Sequence, residues 1–215
     1  MIKIENVDIS GWSAALRGMR NPKNSWEKSD TIFDDYGNPM IGESDLRLAG
    51  LLAKSTPDDG KFLRMIHVQC DVTAPLYWWK EADKYQVGTV TDSCSTMHKI
   101  HAKEFTEDDF SHEHLINKAF PVTDEFVSTY MDIFNDTIKA LNEARIQFLE
   151  TKDKTYWWQM IQLLPTSYNQ RRTFDLNYAV LRNMYRARKN HKLDEWLEFC
   201  TWIKSLPYSE LITDE

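Results

Sequence analysis

The sequence is poor in cysteine and glycine and has no long apolar run. Its three cysteines, Cys70, Cys94 and Cys200, are odd in number and far apart. That excludes a disulfide framework and points to a reducing compartment, so a cytoplasmic protein is expected. Seven glycines are scattered along 215 residues. They form no GxGxxG or Walker-type phosphate loop, and there is no G-x-S-x-G nucleophile elbow. No apolar run approaches the ~20 residues that span a bilayer, and Met1 to Ser10 lacks the charged-then-apolar pattern of a signal peptide. Positive charge is outnumbered, with 26 Lys and Arg against 33 Asp and Glu. A net charge of −7 argues against a protein that tracks a nucleic-acid backbone.

Aromatic residues are plentiful. They make up 13% of the chain and include eight Trp, beside 27% charged residues, the composition of an ordered globular protein. So many Trp imply large buried surfaces in cores or subunit interfaces. Basic charge is concentrated in one place. Arg171, Arg172, Arg182, Arg186, Arg188, Lys189 and Lys192 stand against one acid, Asp175, so that stretch is +6 and the rest of the chain is −13. A local basic face on an acidic protein suggests either a bound anion, with phosphate the natural match for guanidinium forks, or a solvated helix face.

Periodicity predicts a helix-rich α+β fold in a single domain, residues 1–215, with a small sheet. Met1 to Val7 alternates as a short strand. Ser10 can cap a helix to Met19 that buries Trp12, Ala15, Leu16 and Met19. Asn21 to Asn38 reads as a loop, Glu43 to Lys54 as a helix, Lys61 to Met65 as a helical turn and Ile66 to Thr73 as a strand. Pro75 can open the next helix, and Val87 to Ser95 reads as irregular. Thr123 or Asp124 can cap a long helix bearing Phe126, Tyr130, Phe134 or Ile133, Thr137 or Ile138, Leu141, Ala144 and Phe148. Helices are also expected over Thr155 to Leu164, Thr166 to Asn190 and Leu193 to Leu206.

Motifs for chemistry are sparse. His98-x-x-His101 and His112-x-His114 could each supply two metal ligands but lack a third partner, so no metal is expected. Ser93-Cys94-Ser95 could hold a nucleophile or form a small-residue turn. Asn177, Leu181, Met184 and Arg188 are spaced by four, three and four, which on a helix gives one face. An Arg aligned with a core-facing stripe either pairs with a buried acid or binds an anion.

Several segments together resemble the flavin-dependent thymidylate synthases over about two-thirds of the chain. Phe62-Leu63-Arg64 before the strand is similar to the family's H-x-x-F region, and Thr73-Ala74-Pro75 to its A-P bend. Trp78-Trp79 and Lys84 to Ser95 fall where the family has an aromatic helix and its R-H-R-x-x-S signature. Leu164-Pro165, Asn177, Leu181, Asn183, Met184, Arg188 and Glu195 match the L-P, N-x-R-S-L-x-N-F-L-x-L-R and A-Q-x-E-I pattern. The departures are specific. Asp83-Lys84-Tyr85-Gln86 replaces R-H-R, and Leu193-Asp194 replaces A-Q.

The resemblance implies a nucleotide-binding protein that uses FAD to methylate deoxyuridine monophosphate (dUMP), built as a homotetramer. It implies catalytic Ser93 and Ser95, cofactor contacts from Asn177, Lys84 and Trp79, and substrate contacts from Arg188, Lys84 and Tyr85. Arg182 joins the substrate candidates from the basic stretch alone. The missing R-H-R leaves a second reading, a non-catalytic nucleotide or dinucleotide sensor or sequestering protein encoded by a phage or bacterium. A third is an interaction protein whose basic face meets an acidic partner.

Overall fold

The computed structural model describes residues 1–123 and 126–214. In chain order the elements are β1 (Lys3–Ser10), α1 (Trp12–Arg20), β2 (Ile32–Phe33), β3 (Pro39–Met40), α2 (Glu43–Lys54), β4 (His67–Pro75), α3 (Leu76–Ala82) and β5 (Val90–Ser93). There follow α4 (Thr96–Lys99), β6 (Ala119–Pro121), β7 (Val127–Thr129), α5 (Tyr130–Thr151), α6 (Lys154–Leu163), β8 (Asn169–Asn177), α7 (Tyr178–Arg188), α8 (Asp194–Lys204) and α9 (Glu210–Thr213). A four-stranded sheet has the order β1-β4-β8-β5, and the pairs β2-β3 and β6-β7 are small antiparallel ribbons. The helix-rich α+β expectation holds. No described helix is long and apolar enough to cross a membrane.

The chain packs as two compact units. The first comprises Met1, Thr73–Lys80 and Ser93–Arg171; the second comprises Ile2–Val72, Glu81–Asp92 and the chain from Arg172 on. In the first, α5 and α6 enclose Phe105, Phe110, Phe134, Ile138, Leu141 and Met160. Phe110 meets Phe134 edge-on at 5.6 Å. Asn142 closes a loop over this core, accepting from the Phe105 N–H and donating to its C=O, both at 2.8 Å. In the second, alternate residues of β4 (Val68, Cys70, Val72) and β8 (Phe174, Leu176) point inward, and α1 buries the expected Trp12, Ala15, Leu16 and Met19.

Several sequence expectations are corrected. Thr166 to Asn190 is not one helix: β8 precedes α7, because Gln170, Phe174 and Leu176 alternate inward while Arg171 and Thr173 face out. The long helix starts at Tyr130 rather than after Thr123. Thr129 and Asp132 form a reciprocal capping box there, and Val127–Thr129 pairs with β6. Thr123 instead accepts from the Phe126 N–H, and the alternative cap, Asp124, lies outside the described residues. Ser10 belongs to β1. Gly11 takes the cap position at φ 88, where a Cβ would lie 1.9 Å from the Met65 carbonyl oxygen, so only glycine fits. Pro75 ends β4 rather than opening α3, and Val90–Ser93 is a strand.

One buried ion pair ties α1 to α2 in the second unit. Arg20 Nε donates to Asp45 Oδ1 at 2.6 Å, with side chains only 3% and 0% exposed. Asp45 Oδ2 also accepts from the hydroxyls of Ser29 (2.7 Å) and Thr31 (2.6 Å) and from two backbone N–H groups. Arg20 donates further to Lys28 O (2.9 Å) and Ser44 Oγ (2.8 Å). Every polar atom is matched, which is the condition under which a buried charge is tolerated. Burial alone would raise the Asp45 carboxyl, but bonds from Thr31, Ser29 and Arg20 and the Arg20 charge hold it below its ordinary value. Asp45→Ala should destabilise by about 3–5 kcal/mol at pH 7, because it strands a buried guanidinium. A depressed folded pKa gives stability that is present above the unfolded value of about 4 and is lost as pH falls through the lower folded value. Denaturant unfolding at pH 7 and pH 3 should therefore show the gap between wild type and Asp45→Asn narrowing at the lower pH.

Candidate functional site

The strand-to-helix join at the end of β8 organises the site. Asn177, 5% exposed, leaves the strand in an extended conformation, and its side-chain oxygen accepts from the Val180 N–H at 3.0 Å. This caps α7. Its Nδ2 reaches back to the Gly88 carbonyl at 3.3 Å, and the Tyr178 N–H donates to Ile66 O at 3.0 Å. Gly88 sits at φ 79, and a Cβ there would lie 2.9 Å from Asn177 Nδ2. Glycine is what lets this loop lie against the start of the helix.

A cavity of about 300 Å³ opens over this join. Leu63 and Val180 are among its apolar lining, and Asn177 and Asn183 contribute amides. Arg64, Arg182 and Arg186 bring three guanidiniums, and no carboxylate lines it. Among the described residues Arg64 has no hydrogen-bond or ion-pair partner. Arg182 is only 6% exposed and donates to Leu211 O at 2.6 Å and to Asp214. Arg186, 53% exposed, donates to the other Asp214 oxygen at 3.1 and 2.8 Å. Burial, with Arg186 nearby, pulls Arg182 below the ordinary arginine value, against the pull of Asp214. Burial would raise the Asp214 carboxyl, but the two guanidiniums hold it below its usual range. The helix N-terminus adds to the positive potential.

The remaining site candidates fall into several places. Arg188 donates from Nε to the Tyr85 hydroxyl at 3.0 Å and from Nη1 to Glu81 at 2.5 Å. Its guanidinium also stacks 4.8 Å from the Trp196 ring centroid. Glu81 additionally faces His191 Nε2 at 3.3 Å. His191 Nδ1 accepts from the Leu193 N–H at 3.1 Å, which leaves Nε2 to carry the proton of the neutral ring. So Arg188 and Tyr85 are brought together around a carboxylate. Lys84 is exposed in the same unit and does not line the cavity. Asn177 and Arg182 share the cavity.

Ser93, Ser95 and Trp79 belong to the first unit. Trp79 is 1% exposed, its indole N–H donates to Gln170 O at 2.9 Å, and it meets Trp78 edge-on at 4.8 Å. Its ring is core. Ser93 ends β5 in an exposed position. Ser95 caps the short α4, accepting from the His98 N–H at 3.1 Å, and lines a separate 450 Å³ cavity with Cys94 and Tyr168. His112 stacks on Phe134 at 5.2 Å and faces Phe110 O at 3.0 Å. Among the described residues no group of three or more His, Cys, Asp or Glu could hold a metal.

The sequence placed Arg64 only in the segment similar to H-x-x-F and Arg186 only in the basic stretch, and it singled out neither Gly88 nor Asp214. Arg186 lies in the basic stretch and could have been found there. Gly88 was hidden in an irregular-looking segment, and nothing in sequence links Asp214 to α7.

No family model and no curated protein matches this sequence. Solved structures do match its fold. Thymidylate synthase X from Helicobacter pylori, crystallised with FAD and dUMP, superposes with a TM-score of 0.69 at 16% identity, over 100% of this chain and 98% of that one. A second structure of the Helicobacter pylori enzyme with FAD and dUMP gives 0.67 at 16% identity, over 99% and 98%. A UMP/dUMP methylase, PolB, from Streptomyces cacaoi, bound with 5-Br dUMP, gives 0.63 at 16% identity, over 100% and 95%. At that identity the likeness establishes the fold alone, and it does so over the whole chain.

Proposed function

We propose that the protein binds a nucleotide and that the cavity over the start of α7 receives its phosphate. The observation that carries this reading is the charge of the cavity: three guanidiniums and no carboxylate, at the positive end of an eleven-residue helix. Structures of the same fold that hold FAD and dUMP support the ligand class. The volume lies at the small end of ligand cavities, which run from about 300 to 1,000 Å³, and suits a mononucleotide. In this reading Arg64 meets the phosphate, and Asn183 and the Asn177–Gly88 edge meet the sugar or base.

Flavin contacts do not assemble in the same way. Of the three residues expected to hold FAD, Asn177 lines the cavity, Lys84 does not, and Trp79 is sealed in the other unit's core. Arg188, the expected nucleotide clamp, already has Glu81, Tyr85 and Trp196 around it. These observations favour sensing or sequestering a mononucleotide over flavin-dependent methylation. A homo-oligomer is part of the proposal. In the first unit Phe126, Val127, Tyr130 and Ile133 are 46–63% exposed in succession, an apolar strip of the kind that marks protein contacts.

Calorimetry with dUMP tests the site. Arg64→Ala should weaken binding by about 1.5–3 kcal/mol, the scale of one charge-assisted hydrogen bond, and leave the melting temperature in place, since Arg64 bonds no protein group among the described residues. No dUMP binding by the wild type, or equal affinity in the variant, overturns the assignment. Arg188→Ala should do the reverse. It leaves Glu81 without its guanidinium, so stability falls by about 1–3 kcal/mol while affinity at the cavity holds; a lost affinity with unchanged melting would return Arg188 to the ligand. Light scattering at micromolar concentration should give a multiple of 25.4 kDa, a tetramer in the expected case, and a clean 25.4 kDa mass would remove the oligomer.

A further inference from the structure

Asp214 occupies the position of a ligand anion for two of the cavity's three arginines. Its two carboxylate oxygens are divided between Arg182 and Arg186. Both arginines line the cavity, but Asp214 does not. The two bonds differ in kind. Arg182 is 6% exposed and is also held by Leu211 O, so it cannot leave without stranding a buried charge. Arg186 is 53% exposed, and among the described residues its hydrogen-bond and ion-pair partner is Asp214. An exposed ion pair is worth little and exchanges readily. A phosphate offers the same fork more charge than a carboxylate does. Asp214 itself stands at φ 68, a left-handed conformation unusual for a non-glycine residue, directly after α9.

We infer that Asp214 is an internal competitor for the ligand's phosphate: an anion entering the cavity takes Arg186 from Asp214 and loosens the turn that ends α9. The inference rests on the nucleotide reading of this cavity and adds its regulation. Arg182 stays with Leu211 and Asp214 as the hinge, and Arg186 is the arm that moves. The coupling is reciprocal. Whatever weakens the Asp214 contact tightens the anion, and the anion weakens the contact by the same factor. A segment or partner that steadied α9 would lower nucleotide affinity from outside the cavity.

The test uses the full chain with two probes, dUMP and inorganic pyrophosphate, and reads calorimetric affinity beside hydrogen exchange of the Thr213 and Asp214 amides. Those amides are bonded to Ser209 O and Glu210 O in the free protein. Asp214→Asn should bind both probes roughly twofold to fivefold more tightly, the scale of one exposed ion pair. Saturating ligand should speed exchange at the two amides in the wild type. Arg186→Gln, which keeps the Arg182 anchor, should bind more weakly and show exchange that ligand no longer changes; it serves equally if Asp214→Asn proves poorly folded. Wild-type binding with equal or weaker affinity in Asp214→Asn, or with exchange at α9 unmoved, overturns the competitor and leaves the nucleotide site standing. No binding of either probe to wild type or variant overturns both.

Discussion

The side-chain amide of Asn177 is the contact on which the second unit's architecture turns. It ends β8, caps α7 and fastens the Gly88 loop, three tasks for one buried group. A strand cannot run into a helix without an extended residue between them, and that residue must satisfy the exposed N–H groups of the first turn. An Asn does this with its oxygen and has an amide hydrogen left over. Asp would serve the cap but could not donate to the Gly88 carbonyl. With the join fixed, the positive end of α7 faces the space beside Leu63 and Arg64, and the cavity follows.

Charge in this unit is arranged by pairing rather than by exposure. Among the described residues, basic side chains between Arg171 and Lys192 meet carboxylates from distant parts of the chain: Arg172 meets Asp83, Arg182 and Arg186 meet Asp214, and Arg188 meets Glu81. The basic stretch is therefore mostly a set of internal tethers. They fasten β8 and α7 to the end of α3, the residues after it and the chain's last turn. What remains open toward the cavity is Arg64 and the exposed arm of Arg186. A protein with net charge −7 can present a positive cavity because the acids that outnumber its bases do not line it.

The legible parts of the fold were those with strong, uncontested period. Glu43–Lys54 was found with its bounds, the buried face of α1 was read residue by residue, and on α5 Leu141 and Ala144 were placed while the period left Phe134 or Ile133 and Ile138 or Thr137 open. Failures came where two periods overlap. Phe174 lies seven residues before Leu181, a helical spacing, yet Gln170, Phe174 and Leu176 also alternate, and pairing in the sheet decided for the strand. The α5 start was missed because Thr123 and Thr129 are both good caps, and only Thr129 has Asp132 to complete the box. On α8, Leu197 stands at helical spacing from Leu193 and Cys200 yet is 38% exposed, while Phe199 takes the buried place.

The site was less legible than the fold for a physical reason. Spacing could put Arg188 on a core-facing stripe and say that it must pair or bind, but the choice belongs to Glu81, 107 residues away in sequence. Asp214 is linked to Arg182 across 32 residues through α9, a four-residue helix with no periodic signal. Trp79 shows the opposite error. An aromatic pair at Trp78-Trp79 looks like a ring platform in sequence, yet both rings are buried and packed edge to face. Aromatics that close a core and aromatics that stack a ligand share composition and spacing. They differ in whether a face is left open, and that is set by the helices and strands packed over them.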